Sequence, residues 1–235
     1  MTDFHSHILP EIDDGSRSVE ESLLMINELS RQGIDRIIAT PHFYADDESV
    51  NGFLERRQTA YNKLMDNCFP GMPSIIQGAE VRYYDGISRL PNLNSLCIQG
   101  TKLLLLEMPF IRWTEYTLRE LVDISSNGKI TLVLAHIDRY LKFQRPDVWY
   151  WLADNGILMQ LNANCVNNFF TRHKAINLFR KGIAHFLGSD CHNMKERAPD
   201  IGQAINIMEK KLGINFKSDF DDYVNEFFEI KNLKI

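Results

Sequence analysis

An amphipathic stretch, then a glycine, then a short run of aliphatic residues recurs along the sequence in that order. The clearest copies centre on Gly33, Gly128, Gly156 and Gly182. A glycine just past a helix ends it in the left-handed conformation without a Cβ penalty. The aliphatic runs that follow are typical of strands buried on both faces, as parallel sheets require. The pattern therefore predicts an α/β protein of alternating helices and parallel strands.

Capping signals and the spacing of apolar residues place the elements. Ser18-Val-Glu-Glu21 fits a capping box, and Gly33 ends the helix that it begins. Further helices are predicted over residues 53–67, 115–127, 146–155, 172–181 and 200–212, and strands over residues 2–6, 35–40, 74–80, 102–107, 130–136, 157–162 and 183–189. The segment after Lys210 also has helical character. We expect one domain over residues 1–235, a distorted (β/α)7 TIM-like barrel, with a doubly wound open sheet as the alternative.

Charge and cysteine content bound the class of protein. The 235-residue chain has a net charge of −5 and no basic run, so nucleic-acid binding is not expected. The four cysteines form no Cys-x-x-Cys pair and are expected to be reduced thiols. The beginning, MTDFHSHILPEIDD, is not that of a signal peptide, and the apolar runs are shorter than a membrane span. These features predict a cytoplasmic protein.

Polar side chains able to bind a metal follow almost every predicted strand. They are His5, His7, His42, Glu80, Glu107, His136, Asp190 and His192. In a parallel barrel the carboxyl ends of all strands open onto one face, so these side chains should converge there. A lone histidine at a strand end is more often structural, but the recurrence at successive strands favours a ligand role. His173 and His185 fall outside the pattern and are expected to be structural.

The candidate ligands are imidazoles and carboxylates, without thiolate. This set suits Mn, Fe or Zn in a catalytic site rather than a cysteine-rich structural site. There are more ligands than one ion can use, so two or three divalent ions bridged by a carboxylate are expected. His5 and His7 lie two residues apart, on one side of a strand, and can reach the same ion. Such clusters activate water and hold the oxygens of an in-line displacement, as in phosphatases and nucleases.

Two arginines next to the candidate ligands indicate an anionic substrate. Arg139 follows His136 by three residues, and Arg197 follows His192 by five. The planar guanidinium matches phosphate oxygens in a bidentate geometry. Cys191-x5-Arg197 also has the spacing of the cysteine-dependent tyrosine phosphatases. The intervening HNMKE, however, has no glycine and includes an acidic residue, which disfavours a phosphate-binding loop around a thiolate.

Six segments carry a family resemblance: DFHSHILPEIDDG, ATPH, GAE, LLLLEMPF, AHIDRY and GSDCHNMKER, in this order between Asp3 and Arg197. Together they resemble the PHP (polymerase and histidinol phosphatase) superfamily. Within it, the chain is similar to the bacterial capsule-locus branch of manganese-dependent protein-tyrosine phosphatases. The resemblance implies a distorted barrel with a trinuclear metal site.

The resemblance also implies how the ligands are shared among the ions. One ion would be held by His5, His7, Glu80 and Asp190, a second by Glu80, Glu107 and His136, and a third by Asp14, His42 and His192. Glu80 would bridge the first two ions. Asp14 is assigned from the resemblance alone, with its neighbour Asp13 as the alternative. Arg139 and Arg197 match the family's phosphate-binding arginines.

The implied activity is hydrolysis of phosphotyrosine by a metal-activated hydroxide, with the arginines and a third ion neutralising phosphoryl charge. The implied substrate is the tail of a bacterial tyrosine kinase that controls capsular or exopolysaccharide synthesis. Phe43, where many relatives carry a second histidine, and Ala198, where a proline is common, depart from the family pattern. The alternatives are a small-molecule phosphatase of the superfamily, such as one acting on histidinol phosphate, and a non-catalytic protein that keeps the metal site.

Overall fold

The computed structural model describes residues 1–126 and 128–229. The strands there are β1 (Thr2–Ser6), β2 (Arg36–Ala39), β3 (His42–Phe43), β4 (Ser74–Gln77), β5 (Glu80–Arg82), β6 (Leu103–Glu107), β7 (Thr131–Leu134), β8 (Leu158–Asn162) and β9 (Phe186–Gly188). The α-helices are α1 (Val19–Arg31), α2 (Val50–Met65), α3 (Glu115–Ser126), α4 (Pro146–Asp154), α5 (Ala163–Asn167), α6 (Phe169–Arg180), α7 (Ile201–Leu212) and α8 (Phe216–Glu229). Short 3-10 turns occupy Ile87–Arg89, Leu93–Leu96 and Ile137–Arg139.

The strands pair in parallel throughout the described sheets. One sheet has the order β1-β2-β4, and the other has the order β3-β5-β6-β7-β8-β9. The first and last strands meet at a parallel bridge between Ser6 and Cys191, where the amide of His7 donates to the Cys191 carbonyl at 2.9 Å. The sheets therefore curl into a TIM-like barrel, which confirms the predicted fold class and excludes the open doubly wound sheet.

Two of the predicted strands are interrupted, which distorts the barrel. The strand predicted over 35–40 ends at Ala39 as β2, and a further strand, β3, which was not predicted, begins after Thr40 and Pro41. The strand predicted over 74–80 ends at Gln77 as β4, and β5 begins at Glu80, the last residue of that prediction. Hydrogen bonds still cross the interruption, because the Gly78 amide donates to Ala39 and the Glu80 amide donates to Pro41. A Cβ on Gly78 would lie 3.2 Å from side-chain atoms of Ile98 and Thr40, so a small residue suits this kink.

The helices agree with the predictions to within a few residues, apart from α5 and the first turn of α6. Ser18 caps α1 by accepting a hydrogen bond from the Glu21 amide at 3.2 Å. The turn α5 and the start of α6 were not predicted. In the structure Asn168 caps α6 immediately after α5 ends. The segment after Lys210 is helical in α7 and α8, as expected. The predicted end of α3, residue 127, lies outside the described residues.

The barrel interior and the layer between strands and helices form one buried apolar cluster. Strand β6 contributes four consecutive leucines, 103–106, all fully buried. The continuous aliphatic run is what a strand covered on both faces requires. In the described ranges, no helix combines the length and apolar character needed to cross a membrane. Burial of both strand faces leaves the carboxyl ends of the strands as the place where polar side chains gather.

Candidate metal centre

The carboxyl ends of the barrel strands bring the predicted ligands together into one cup. Side-chain nitrogen or oxygen atoms lie within 4.8 Å of one another in three overlapping groups: His5, His7 and Asp190; His42, Glu80 and Glu107; and His7, Asp14, His42 and His192. Most of these side chains are buried, and Asp14, with 66% of its side chain exposed, is the exception. The kinks before β3 and β5 pair His42 with Glu80 at the start of these strands. The barrel topology therefore assembles the predicted site.

The first group surrounds one oxygen of Glu80. The Nε2 atoms of His5 and His7 are 3.1 Å apart, and each lies 3.2 Å from Oε2 of Glu80. Both also lie 3.6 Å from Oδ1 of Asp190. Their Nδ1 atoms face other acceptors, Gln160 at 3.2 Å and Asp13 at 2.7 Å. Two ring nitrogens that face each other and two carboxylates are suited to a shared cation.

His136 belongs to none of these three groups, but it lies on the other oxygen of Glu80 and next to Glu107 of the second group. Nε2 of His136 is 2.7 Å from Oε1 of Glu80 and 3.5 Å from Oε1 of Glu107. The Nδ1 atom of the same ring is 3.0 Å from the Tyr140 hydroxyl, which holds the imidazole in place. Burial raises the pKa of Glu107, and the charge of Glu80 raises it further. A cation between the two carboxylates would remove this repulsion.

The third group contains two orphaned imidazole nitrogens. Nε2 of His42 and Nε2 of His192 lie 3.4 and 3.5 Å from the same Oδ1 of Asp14. The His192 Nδ1 atom is 3.0 Å from the carbonyl of Asp190, so its Nε2 atom is free to bind a ligand. Buried Nε2 of His192 and Nδ1 of His42 have no hydrogen-bond partner among the described residues. A buried nitrogen without a partner is costly, so these atoms fit metal ligands.

Asp13 and Asp14 have different positions in the cup. Asp13 is almost buried and accepts hydrogen bonds from His7 Nδ1 at 2.7 Å, the Gly15 amide at 2.9 Å and the His42 amide at 3.0 Å. Its oxygens are therefore already used, whereas those of Asp14 face the imidazoles of the third group. The geometry favours Asp14 as the ligand and Asp13 as the residue that orients a ligand.

Residues that position the ligands were largely missed by sequence reasoning. Gln160 accepts from the His136 amide at 2.6 Å and contacts His5 Nδ1, and Tyr140 contacts the His136 ring. Gln160 could have been found as a polar residue inside the apolar run of strand β8. Nothing in the local sequence distinguishes Tyr140. His136 and Asp190 have φ values of 31° and 54°, and such left-handed non-glycine residues cluster at functional sites.

Charge within the cup is balanced between buried acids and bases. Burial alone would raise the pKa of Glu80. His5 and His136 outweigh burial and hold the pKa well below its usual range. Burial lowers the pKa of His7, but Asp13 and Glu80 raise it to about 10. Burial and the charge of His7 lower the pKa of His192 to about 3, so that ring is neutral. A divalent cation binds ionised carboxylates together with neutral imidazoles, so it would take the place of the proton that the neighbouring carboxylates hold on His7.

Both predicted arginines reach the cup through Asp190. Arg139 Nη2 binds Oδ2 of this aspartate, and Arg197 Nη2 binds Oδ1 at 2.7 Å. About a third of each side chain is exposed, 33% for Arg139 and 36% for Arg197. Asn162 also donates to Asp190, at 2.8 Å. Each guanidinium therefore lies at the wall of the cup with part of its surface open to an incoming anion.

The structure argues against a thiolate nucleophile at Cys191. This side chain is 1% exposed, and burial together with the charge of Asp3 raises the pKa of its thiol well above the usual range. Reactive cysteines are partly exposed and have lowered pKa values. The two remaining histidines lie away from the cup. His173 contacts Asn177 on α6, and His185 accepts from the Met159 amide at 3.2 Å.

A known family and several known proteins resemble this chain over most of its length. Residues 1–224 match the family model described as "Capsular polysaccharide synthesis, CpsB/CapC". The chain belongs to the CpsB/CapC family. The tyrosine-protein phosphatase CpsB of Streptococcus pneumoniae is 30% identical, with 91% of each chain covered. The tyrosine-protein phosphatase YwqE of Bacillus subtilis is 29% identical, over 91% of this chain and 85% of that protein.

A solved structure resembles the fold over nearly its whole length. It comes from crystal structures of YwqE from Bacillus subtilis and CpsB from Streptococcus pneumoniae, described as metal-dependent tyrosine phosphatases. The TM-score is 0.83 at 25% identity, with 97% of this chain and 94% of that chain covered. Phe43, one departure from the CpsB/CapC pattern, is fully buried and packs on Phe53 with ring centroids 5.3 Å apart. It therefore belongs to the core and not to the cup.

Proposed function

We propose that this chain is a metal-dependent protein-tyrosine phosphatase. The observation that carries the proposal is the cup itself, in which three overlapping groups of imidazole and carboxylate ligands lie next to Arg139 and Arg197. The CpsB/CapC family assignment and the relatives named as tyrosine-protein phosphatases support the same activity. Phosphate monoester hydrolysis is a reaction for which multinuclear metal centres are well suited.

We further propose that the centre takes two or three divalent ions, manganese above iron or zinc. One ion would be held by His5, His7, Glu80 and Asp190, a second by Glu80, Glu107 and His136, and a third by Asp14, His42 and His192. Mixed imidazole and carboxylate ligands without thiolate fit these metals. When bound, the ions supply activation of water and neutralisation of phosphoryl charge.

The protein's own residues position the substrate in this proposal. Arg139 and Arg197 orient the phosphoryl oxygens through their exposed N–H groups, which match phosphate geometry. Phe110 stands at the rim, 47% exposed, with its ring 6.5 Å from that of His136 and nearly parallel to it. This ring offers a surface for the phenyl group of phosphotyrosine. A phenolate leaving group, with a pKa of about 10, needs less proton donation than an alkoxide.

The proposed substrate is a phosphotyrosine protein, namely the tail of a bacterial tyrosine kinase that regulates capsular or exopolysaccharide synthesis. The family description, capsular polysaccharide synthesis, supports this assignment. We place the activity in the cytoplasm, the compartment in which the free thiols of the four cysteines would stay reduced.

The test is hydrolysis of a phosphotyrosine peptide by protein stripped with a chelator and then titrated with Mn, Fe or Zn. We expect no turnover in chelator and recovery with added metal, manganese giving the highest rate. Full activity after metal removal would refute the proposal. Faster turnover of histidinol phosphate than of the peptide would favour a small-molecule phosphatase. Bound metal without turnover of any phosphoester would indicate a non-catalytic protein.

A further inference from the structure

A separate cavity of about 350 Å³ opens beside the metal centre, on the side of Arg139. Its lining is rich in cations and amides, with Lys142, Lys174, Asn164 and Asn168 among the residues that face it. The cavity lies between the turn after β7 and the helices that follow β8, at the carboxyl ends of the strands. It therefore borders the same face of the barrel as the cup.

Two side chains link the lining of the cavity to the wall of the cup. Arg139 and Asn162 both line it, and both also contact Oδ2 of Asp190. The cavity and the cup are therefore neighbours, with the Arg139 and Asn162 side chains between them.

The lysines that line the cavity can form ion pairs with a ligand. Lys142 and Lys174 are exposed, and over residues 1–126 and 128–229 neither ammonium group forms an ion pair with a carboxylate. The one acidic residue in the lining, Asp138, is engaged, because its Oδ1 accepts from the Asn162 amide at 3.0 Å. The cavity consequently offers two free cations, with Arg139 between them and the cup.

The opposite wall of the cup has the reverse charge. A cavity of about 390 Å³ next to His42 is lined by Asp13, Asp14, Asp47 and Glu48. Its single arginine, Arg56, forms an ion pair with Glu48, so these two charges cancel. Asp13 is paired with His7 and Asp14 faces the imidazoles of the third group, which leaves Asp47 as the acidic group of this wall that can act on a peptide. His42 lies on β3, and the basic cavity follows β7 and β8, which β5 and β6 separate from β3 in the order of the sheet. The two cavities therefore lie on different sides of the cup.

We propose that the basic cavity binds an acidic side chain, Asp or Glu, of the peptide that carries the phosphotyrosine. This inference rests on the proposed phosphatase function and deepens it by naming a specificity determinant. Asp47 on the other wall disfavours a carboxylate there, so the two sides of the cup together favour one direction of the peptide. Electrostatic complementarity of this kind sets specificity and orientation more than it sets total affinity.

The experiment measures kcat/KM on alanine-based phosphotyrosine peptides that carry one Asp at each position from three residues before to three after the phosphotyrosine. p-Nitrophenyl phosphate is the reference substrate. We expect Asp on one side of the phosphotyrosine to raise kcat/KM roughly fivefold, the scale of one or two exposed ion pairs. The same residue on the other side should have no effect or lower the rate.

The variant Lys142→Glu with Lys174→Glu should remove this preference and favour Lys in place of Asp. The ratio of peptide to p-nitrophenyl phosphate turnover should fall accordingly. The matched control reverses Lys102 and Lys217 to Glu, both at the opposite end of the barrel, and should keep the wild-type profile. If kcat/KM does not depend on the position of Asp, or if the preference for Asp persists in the variant with both lysines changed to Glu, this inference is wrong while the proposed function still stands. Absence of turnover on every aryl phosphate overturns the proposed function, and this inference with it.

Discussion

Asp13 is the residue through which the ligand geometry can be tested most directly. It accepts hydrogen bonds from the Nδ1 atom of His7 and from the amides of Gly15 and His42. The change Asp13→Asn keeps the shape of the side chain but replaces one acceptor oxygen with a donor NH2 group. Oδ1 accepts from Gly15 and Oδ2 accepts from His7 and His42, so the NH2 group leaves at least one of these N–H groups facing another donor. In either orientation of the amide, His7 loses its charged acceptor and is held less firmly.

The magnitude follows from two independent estimates. A buried donor left without an acceptor costs about 1–3 kcal/mol. Substitution of a residue that orients a metal-ligating histidine weakens metal affinity about 10- to 100-fold, which corresponds to roughly 1.4–2.7 kcal/mol. The two ranges overlap because both describe the loss of one hydrogen bond that fixes His7. We therefore expect Asp13→Asn to raise the Mn dissociation constant at least tenfold.

The assay is a calorimetric titration of metal-free protein with Mn, together with turnover of a phosphotyrosine peptide at increasing Mn. At saturating metal most of the lost activity should return, since Asp13 orients a ligand and does not bind the ion. Asp14→Asn should instead abolish the weakest Mn-binding step, without recovery. The exposed Asp46→Asn change, which does not touch the wall of the cup, is the matched control.

Unchanged Mn affinity in Asp13→Asn would refute the assignment of Asp13 as an orienting residue. Loss of one Mn equivalent in Asp13→Asn, with full stoichiometry in Asp14→Asn, would show that the two aspartates have exchanged roles. Circular dichroism of the metal-free variants separates both outcomes from a folding defect.

Three further changes test other parts of the structure. Arg139→Lys should lower kcat/KM for a phosphotyrosine peptide at least about tenfold, since an ammonium group cannot reproduce bidentate phosphate binding; equal rates would contradict that role. Gly188→Ala places a Cβ 2.6 Å from the Cβ of His5, so it should displace this ligand and abolish Mn-dependent activity. The control Gly52→Ala, whose Cβ lies 3.4 Å from its nearest neighbour, should keep the activity. Burial raises the pKa of Asp3 to about 6. The folded state therefore binds this proton more tightly than the unfolded state, and the unfolding free energy falls by about 2 kcal/mol between pH 4 and pH 7 on this account. Asp3→Asn lacks this titration, so its unfolding free energy relative to that of the wild type should rise by the same amount from pH 4 to pH 7, as measured by urea unfolding in chelator. A stability difference that does not change with pH would contradict this account.

Much of the barrel and its ligand set could be predicted because both depend on local patterns. Helix caps such as Ser18 and the glycines after helices act within one turn of chain, and aliphatic runs record burial on both faces. Once the strands are parallel, their carboxyl ends must share one face. Residues as distant in sequence as His5 and Asp190 could therefore be assigned to one site without any knowledge of loop structure.

Other features depend on where loops and kinks place atoms in space. The interruptions at Pro41 and Gly78, which divide two strands, follow from contacts across the barrel rather than from apolar periodicity. The separate roles of Asp13 and Asp14 depend on the direction of two adjacent side chains in one loop. Neighbouring residues of the same type carry the same local signal, so only the folded loop distinguishes them.

The sequence by itself determined the alternation of helices and strands, the residue types of the metal site and the edge of the barrel at which they meet. The tertiary structure alone decided which carboxylate faces which imidazole and which residues orient the ligands. It also decided that Lys142 and Lys174 border the cup on one side and Asp47 on the other. The physical reason is that periodicity encodes which face of an element is buried, whereas distances between side chains on different loops depend on the closure of the whole barrel.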